Sequence, residues 1–311
     1  MSDLAQRVLP HRQIPKLSSP RFLQRLNWIA DPVGFMEQAA RQYPDIFAAE
    51  VVGFGDNLVY VNHPQGIQQL LKDDRQKLLA PGEVNRLLIP LLGDYSIVML
   101  EGDRHRKRRK LLMPPFHGEK IQAYGQLICD LTDKIFSQLP PDQSFIARAI
   151  TQDISLQVIL KAVYGLCDGD RYQQLKHLLA SMSDVFRSPL TSAFLFFPFL
   201  QKNWGAWSPW GHFLRQRQQI DRLIYSEIAE RRAEGCGERQ DILSLLMSAR
   251  DEDGQPMSDL QGRSFADREL RDELMTLMFA GHETTATAMA WALYWIHRLP
   301  EVRQQLLHRQ N

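Results

Sequence analysis

Six consecutive residues, Ala280-Gly281-His282-Glu283-Thr284-Thr285, put two small positions, an acid and two alcohols side by side. Leu274 to Ala280 before them is apolar nearly all round, as a buried helix is, and Ala286-Thr287-Ala288-Met289-Ala290-Trp291 continues it. A mid-helix glycine costs about 1 kcal/mol relative to alanine. A carboxylate and several threonines in a buried helix add desolvation costs unless they find partners. Local rules broken together in one turn mark functional sites. Ala280 and Gly281 remove bulk, so a flat ligand can approach the backbone. The Thr284 hydroxyl can bond back to the Ala280 carbonyl, which loosens the helix and can admit water. Glu283 is a proton source if burial keeps it protonated. Together these residues describe a groove with a proton relay. They equally describe a small-residue helix crossing with Thr and Glu turned to solvent or to a neighbour, and residue type alone leaves both readings open.

The elements that must position this turn are mostly helices. Apolar residues at three- and four-residue steps predict helices near Arg104–Met113, Lys120–Gln138, Ile150–Tyr164, Arg171–Phe186, Gly211–Glu234 and Ile242–Arg250. The long central helix is predicted over Asp267–Arg298, broken by Leu299-Pro300, with another beginning at Glu301–His308. Nearer the N-terminus, Asp31 N-caps a helix over Pro32–Tyr43, with Pro32 in its first turn. Ile46–Val52 and Asn57–Val61 form a hairpin around Gly53, Gly55 and Asp56, and a helix follows over Gln65–Lys72. The expected fold is mainly α with a small β-sheet. No interior linker stands out, so 1–311 is expected to be a single domain.

Composition narrows the function. With 311 residues, 44% of them hydrophobic, the chain can bury a sizeable core. Its 37 basic and 36 acidic residues make no global field for nucleic acid or anionic lipid. Cys129, Cys167 and Cys236 lie far apart without CxxC spacing, which fits a reducing cytoplasm and neither a disulfide scaffold nor a zinc site. Cys129 and Cys167 are expected to be buried or half-buried core thiols, and Cys236 to lie in a surface turn. The longest apolar stretch, Leu190–Leu200, contains a proline and falls short of the roughly 20 residues a spanning helix needs.

The turn at Ala280–Thr285 resembles the [AG]-G-x-[DE]-T-[TS] signature in the central helix of cytochromes P-450. Other pieces follow in the family's order. Asp31-Pro32-Val33-Gly34-Phe35-Met36 and Tyr43-Pro44-Asp45-Ile46-Phe47 look like its first helix and strand. Gly102-Asp103-Arg104-His105 with Arg109 and Pro115-Phe116 resembles the next-but-one helix, and Leu299-Pro300-Glu301-Val302 the element after the central helix. The resemblance implies a haem-dependent monooxygenase that inserts one oxygen atom from O2 into a lipophilic substrate. It places Ala280 and Gly281 against the haem face, makes Glu283 and Thr284 the acid and alcohol that deliver protons, and sets Phe279 at the substrate pocket. The cofactor is heme b, and electrons come from NAD(P)H through a ferredoxin or flavodoxin.

His105 and Arg109, four apart on one helical face, suit the two haem propionates. The competing reading is an exposed basic helix, since Arg104 to Lys110 is an unbroken run of seven basic residues. The remaining cations of the run, Arg106, Lys107, Arg108 and Lys110, would dock an acidic electron donor. Nucleic acid is disfavoured by balanced charge and missing aromatic interleaving. The aromatics Phe194, Phe196, Phe197, Phe199, Trp204, Trp207 and Trp210 stand where the family has a lid, which implies a lipophilic substrate such as a fatty acid or terpenoid.

Departures from the family matter as much. Its thiolate ligand lies in an F-x-x-G-x-x-x-C-x-G segment, and Gly235-Cys236-Gly237 lacks both the phenylalanine and the spaced glycine ahead. Its E-x-x-R helix is absent as well, since Glu301-Val302-Arg303-Gln304 has no arginine in fourth place. The expected fold is therefore an incomplete P-450 fold without the metal ligand, the chain as given is expected to be inactive, and an incomplete record is favoured over a natural stop. The alternative is a non-catalytic helical remnant that at most binds an apolar ligand.

Overall fold

The computed structural model describes residues 13–51, 58–73, 82–117, 119–185, 194, 197–205, 208–237, 239–248 and 266–309. They fall into two compact units, residues 1–87 and 88–311.

The first unit is built on helices α1 (Arg21–Ala30), α2 (Pro32–Gln42) and α3 (Pro64–Asp73) and strands β1 (Ile46–Ala49) and β2 (Leu58–Val61). Asp31 caps α2 as its sequence position requires: its carboxylate accepts the Gly34 N–H at 2.9 Å, with Pro32 in the first turn. The strands pair antiparallel, Ile46 opposite Val61 and Ala49 opposite Leu58. The predicted turn at Gly53, Gly55 and Asp56 lies outside the described residues. A small core of Phe35, Ala39, Phe47, Ala49 and Val51 sits between the strands and α2, with Tyr60 stacked on Phe47 at 4.9 Å.

Helix α1 is an element the periodicity did not predict. Its apolar Phe22, Leu26 and Ile29 are exposed and its polar Gln24 is buried. Gln24 is satisfied from outside the helix: its amide donates to the Ser19 carbonyl at 2.7 Å and accepts the Glu50 N–H at 2.9 Å.

The second unit is helical: α4 (Ile89–Leu92), α5 (Gly102–Leu112), α6 (Glu119–Ser137), α7 (Ala147–Ala162), α8 (Gly169–Val185), α9 (Pro209–Glu234), α10 (Ile242–Ser248), α11 (Asp267–Arg298) and α12 (Pro300–Arg309). The central helix α11 has the bounds that its pattern predicts. Glu269 closes its N-terminus by accepting the Ala266 N–H at 3.1 Å. Its first half runs through the main core, among Leu160, Tyr164, Leu179, Phe213, Ile220, Ile224 and Leu243. Helix α7 packs along it most extensively. The Tyr164 hydroxyl, which burial keeps from ionising, donates to the Leu274 carbonyl at 3.2 Å.

Charged groups inside this core are paired. Arg231 binds Glu227 at 2.8 Å, the Tyr164 carbonyl at 2.7 Å, Ser244 at 2.5 Å, and Asp241. Arg271 binds Asp221 at 2.6 Å and Asp272 at 2.9 Å. Cys129 and Cys167 depart from expectation. Both are exposed, because α6 turns Cys129 outward and Cys167 lies in the connection after α7; Cys236 is half-buried.

Candidate active site

Helix α11 changes character midway. From Glu269 to Met278 it is buried apart from half-buried Leu277, and beyond Met278 a row of residues at four- and three-residue steps is exposed: Ala280, Thr284, Ala288, Trp291 and Trp295, with Thr285 beside them. The first three are small. They leave a shallow strip of helix that a flat group can lie against. At its start the Thr284 hydroxyl donates to the Ala280 carbonyl at 2.5 Å, the back-bond its spacing predicts.

Gly281 and Glu283 face the other way. A Cβ at Gly281 would meet Ile159 Cδ1 at 3.1 Å, so the missing side chain lets α7 approach. The Ser155 hydroxyl donates to the His282 carbonyl at 3.0 Å and ties the same turn to α7. The Glu283 carboxylate accepts from Arg148 Nη2 at 2.7 Å and from Gln152 Nε2 at 2.8 Å. Both readings of this turn are thus present at once, a close helix crossing on one face and a bare strip on the other. Glu283 is not enclosed in the apolar surroundings that its role as proton source presupposes, since its side chain is 29% exposed and ion-paired. Phe279 is half-buried against the main core.

On α5, His105 is half-buried and Arg109 exposed, one turn apart on one face. Arg108 corrects the reading of the basic run as a docking surface. It is buried, donating to Glu269 at 2.7 Å and to Glu273 at 2.9 Å on α11. Two carboxylates facing one helix draw the cation inward, and a run of like charges in sequence does not reveal this. Arg104, Arg106, Lys107 and Lys110 remain exposed, with Arg106 paired to Asp103. The attachment at Glu273 lies seven residues before Ala280, roughly 10 Å along the helix axis.

The chain before α5 hangs on the same stretch of α11. Tyr95 N–H donates to Asp272 at 3.0 Å and Ile97 N–H to Glu273 at 3.3 Å, and Thr276 and Ser96 bond through their hydroxyls at 2.7 Å. Burial pushes the Glu273 carboxyl up to about 7, with Arg108 pulling the other way, and burial raises Asp272 as well.

Of the predicted aromatic lid, Phe196 and Trp207 lie outside the described residues. Phe194 and Trp210 are buried and meet edge to face at 5.1 Å, and Trp210 stacks on Phe213 at 5.2 Å. Phe199 and Trp204 are exposed. Arg148, Gln152 and Arg108, the partners that organise α11, carry no local motif. Among the described residues no cluster of His, Cys, Asp and Glu could hold a metal ion, and no helix is long and apolar enough to cross a membrane.

A helical unit with a bare strip of small residues on its longest helix and an alcohol on that strip, and a second unit with a small antiparallel sheet, make a mainly α architecture. The chain belongs to the cytochrome P450 family, whose profile matches residues 19–309. Cytochrome P450 135B1 of Mycobacterium tuberculosis is 33% identical over 287 residues, which are 92% of this chain and 57% of that protein. Cytochrome P450 135A1 of the same organism is 30% identical over 289 residues, 93% of this chain and 61% of that protein. Among solved structures, the retinoic acid bound cyanobacterial CYP120A1 superposes with a TM-score of 0.74 at 19% identity, over 96% of this chain and 63% of that one. The haem domain of cytochrome P450DA gives 0.68 at 21%, over 94% and 62%. The chain therefore spans about three-fifths of the length of these relatives, and the solved structures support the fold.

Proposed function

We propose that this chain supplies the oxygen-side half of a haem-dependent monooxygenase that hydroxylates a lipophilic substrate, within a single partial P450 domain over 1–311. The family profile runs across both units, which supports the single domain. The observation that carries the function is the bare row Ala280–Thr284–Ala288 with the Thr284 hydroxyl turned onto the Ala280 carbonyl. Small side chains in line fit a flat macrocycle, and a threonine bonded back to the carbonyl four residues earlier is a place where a helix can bend and admit water.

Heme b is the cofactor of this reading, and when bound it supplies the activation of O2. This chain's residues do the rest. Ala280 keeps the wall thin, while Gly281, expected on the same wall, instead lets α7 close against the helix behind it. His105 and Arg109 on one face of α5 suit the two propionates, and Thr284 holds a proton donor at the strip. Glu283, next to it, is the acid that replenishes that donor from solvent. Phe279 borders the substrate pocket, and the aromatic residues around Phe194 and Trp210 favour an apolar substrate. Electrons arrive from NAD(P)H through a ferredoxin- or flavodoxin-type donor, to which α5 presents Arg104, Arg106, Lys107 and Lys110. The cytoplasm is the compartment that free, exposed thiols suit.

The test is Thr284→Ala in the haem-loaded full-length protein. The hydroxyl is expected to be worth about 10²-fold in product formed per reduced donor consumed, the lower end of general acid–base contributions. Unchanged coupling would remove the reading.

A further inference from the structure

Glu283 and Thr284 are neighbours in sequence but project about 100° apart on the helix. Thr284 stands on the bare strip, and the Glu283 carboxylate stands on the α7 side. Both of its oxygens act as acceptors there, Oε2 from Arg148 at 2.7 Å and Oε1 from Gln152 at 2.8 Å, with His282 Nε2 3.9 Å from Oε1. Arg148 is itself held in place, since Nη1 donates to Thr287 Oγ1 at 3.0 Å, one turn further along α11. A carboxylate whose two oxygens both accept from α7 is turned away from the strip.

The pair is not needed to fasten the helices. The α7–α11 crossing already has Ile159 against Gly281 and Ser155 on the His282 carbonyl. The Arg148 and Glu283 side chains are 36% and 29% exposed, and ion pairs this accessible add little to stability. What the pair does fix is direction.

We propose that Arg148 is a positioning residue: with Gln152 it decides on which side of α11 the Glu283 carboxylate stands, and the acid reaches the strip only in a rotamer that leaves α7. The functional part of this inference rests on the monooxygenase reading. In the released rotamer the carboxyl gives one proton to the strip and takes one from solvent, so charge closes over each cycle.

The position of the carboxylate can be read without haem. Amidation by a water-soluble carbodiimide and a small amine, mapped by peptide mass spectrometry on this chain, reports access to each carboxylate. Arg148→Met is expected to raise Glu283 labelling about ten-fold, the factor corresponding to loss of one hydrogen bond to a charged group. Arg148→Lys keeps the cation and stays near wild type, and Gln152→Leu gives an intermediate rise. Buried Glu273 is the internal control and stays unlabelled in a folded variant. If Arg148→Met also exposes Glu273, it has unfolded and Gln152→Leu decides: a rise confined to Glu283 supports the proposal, and no rise overturns it. Unchanged Glu283 labelling in a folded Arg148→Met overturns it directly.

In the haem-loaded full-length protein, Arg148→Met should change kcat and its solvent isotope effect while KM for the substrate stays, and Arg148→Lys should restore both. An unaltered isotope effect would overturn the positioning role. Labelling tests the clamp and Thr284→Ala tests the monooxygenase, so either can fail without the other.

Discussion

Replacing Glu273 by a group that does not titrate should abolish the pH dependence that it gives to the stability of the first half of α11. Glu273 is fully buried and faces Arg108, which also serves Glu269; Asp272, Arg271, Asp221 and Arg217 lie in the same cluster. Burial raises its carboxyl from 4.5 to about 7. The folded protein therefore holds a proton that the unfolded chain gives up between those values. Stability from this group is greatest below pH 4.5, falls as pH rises through the window, and is level above 7. At about 1.4 kcal/mol for each pH unit, the loss across the window is roughly 3 kcal/mol. Glu273→Gln removes that slope. Its single carbonyl oxygen cannot serve both Arg108 and the Ile97 N–H, which the two carboxylate oxygens now do. One lost hydrogen bond costs about 1 kcal/mol. The variant should be less stable than wild type at pH 5 and more stable at pH 8, with the urea midpoints crossing between. Far-UV circular dichroism across that range measures it. Parallel midpoint curves would refute the argument that desolvation outweighs Arg108.

Other substitutions probe the frame around the site. Gly93 has φ +93°, and a Cβ there would lie 2.1 Å from the Asp272 carboxyl. Gly93→Ala should therefore lower stability by about 2 kcal/mol or more, through strain and lost hydrogen bonds to Asp272, as seen in a urea midpoint. Arg231→Met strands the buried Asp241 without its cation, while Glu227 keeps Arg171, and should cost about 3–5 kcal/mol in the same assay. Asp31→Ala removes the α2 cap and should cost about 1 kcal/mol, with faster amide exchange confined to the first turn of α2. If α5 receives an acidic electron donor, the rate of reduction of the haem-loaded protein should fall steeply with added salt. A rate independent of ionic strength would remove that surface.

What could be read from the sequence was what local periodicity and capping determine. The bounds of α11, the Asp31 cap and the Thr284 back-bond each depend on residues within four positions of one another. What escaped depends on partners far away in the chain. Arg108 looked like one more cation of a basic run until Glu269 and Glu273, more than 160 positions on, drew it inward. Gln24 broke the pattern of α1 because it is held in part by the Glu50 N–H, 26 positions on. Cys129 sat in a segment of core-like composition but on its outer side, and Cys167 fell in the connection after α7.

The turn at Ala280–Thr285 shows why its residue types left two readings open. A close helix crossing needs a small residue toward the neighbour, and a ligand strip needs small residues toward the opening. Gly281 meets the first need against Ile159, and Ala280 and Ala288 meet the second. Glycine, acid and alcohol therefore belong to two faces of one helix. The acid's side is chosen by Arg148 and Gln152, 135 and 131 positions earlier in the chain. Composition can supply the groups of a proton relay, but only the packing of α7 against α11 determines which of them points at the strip.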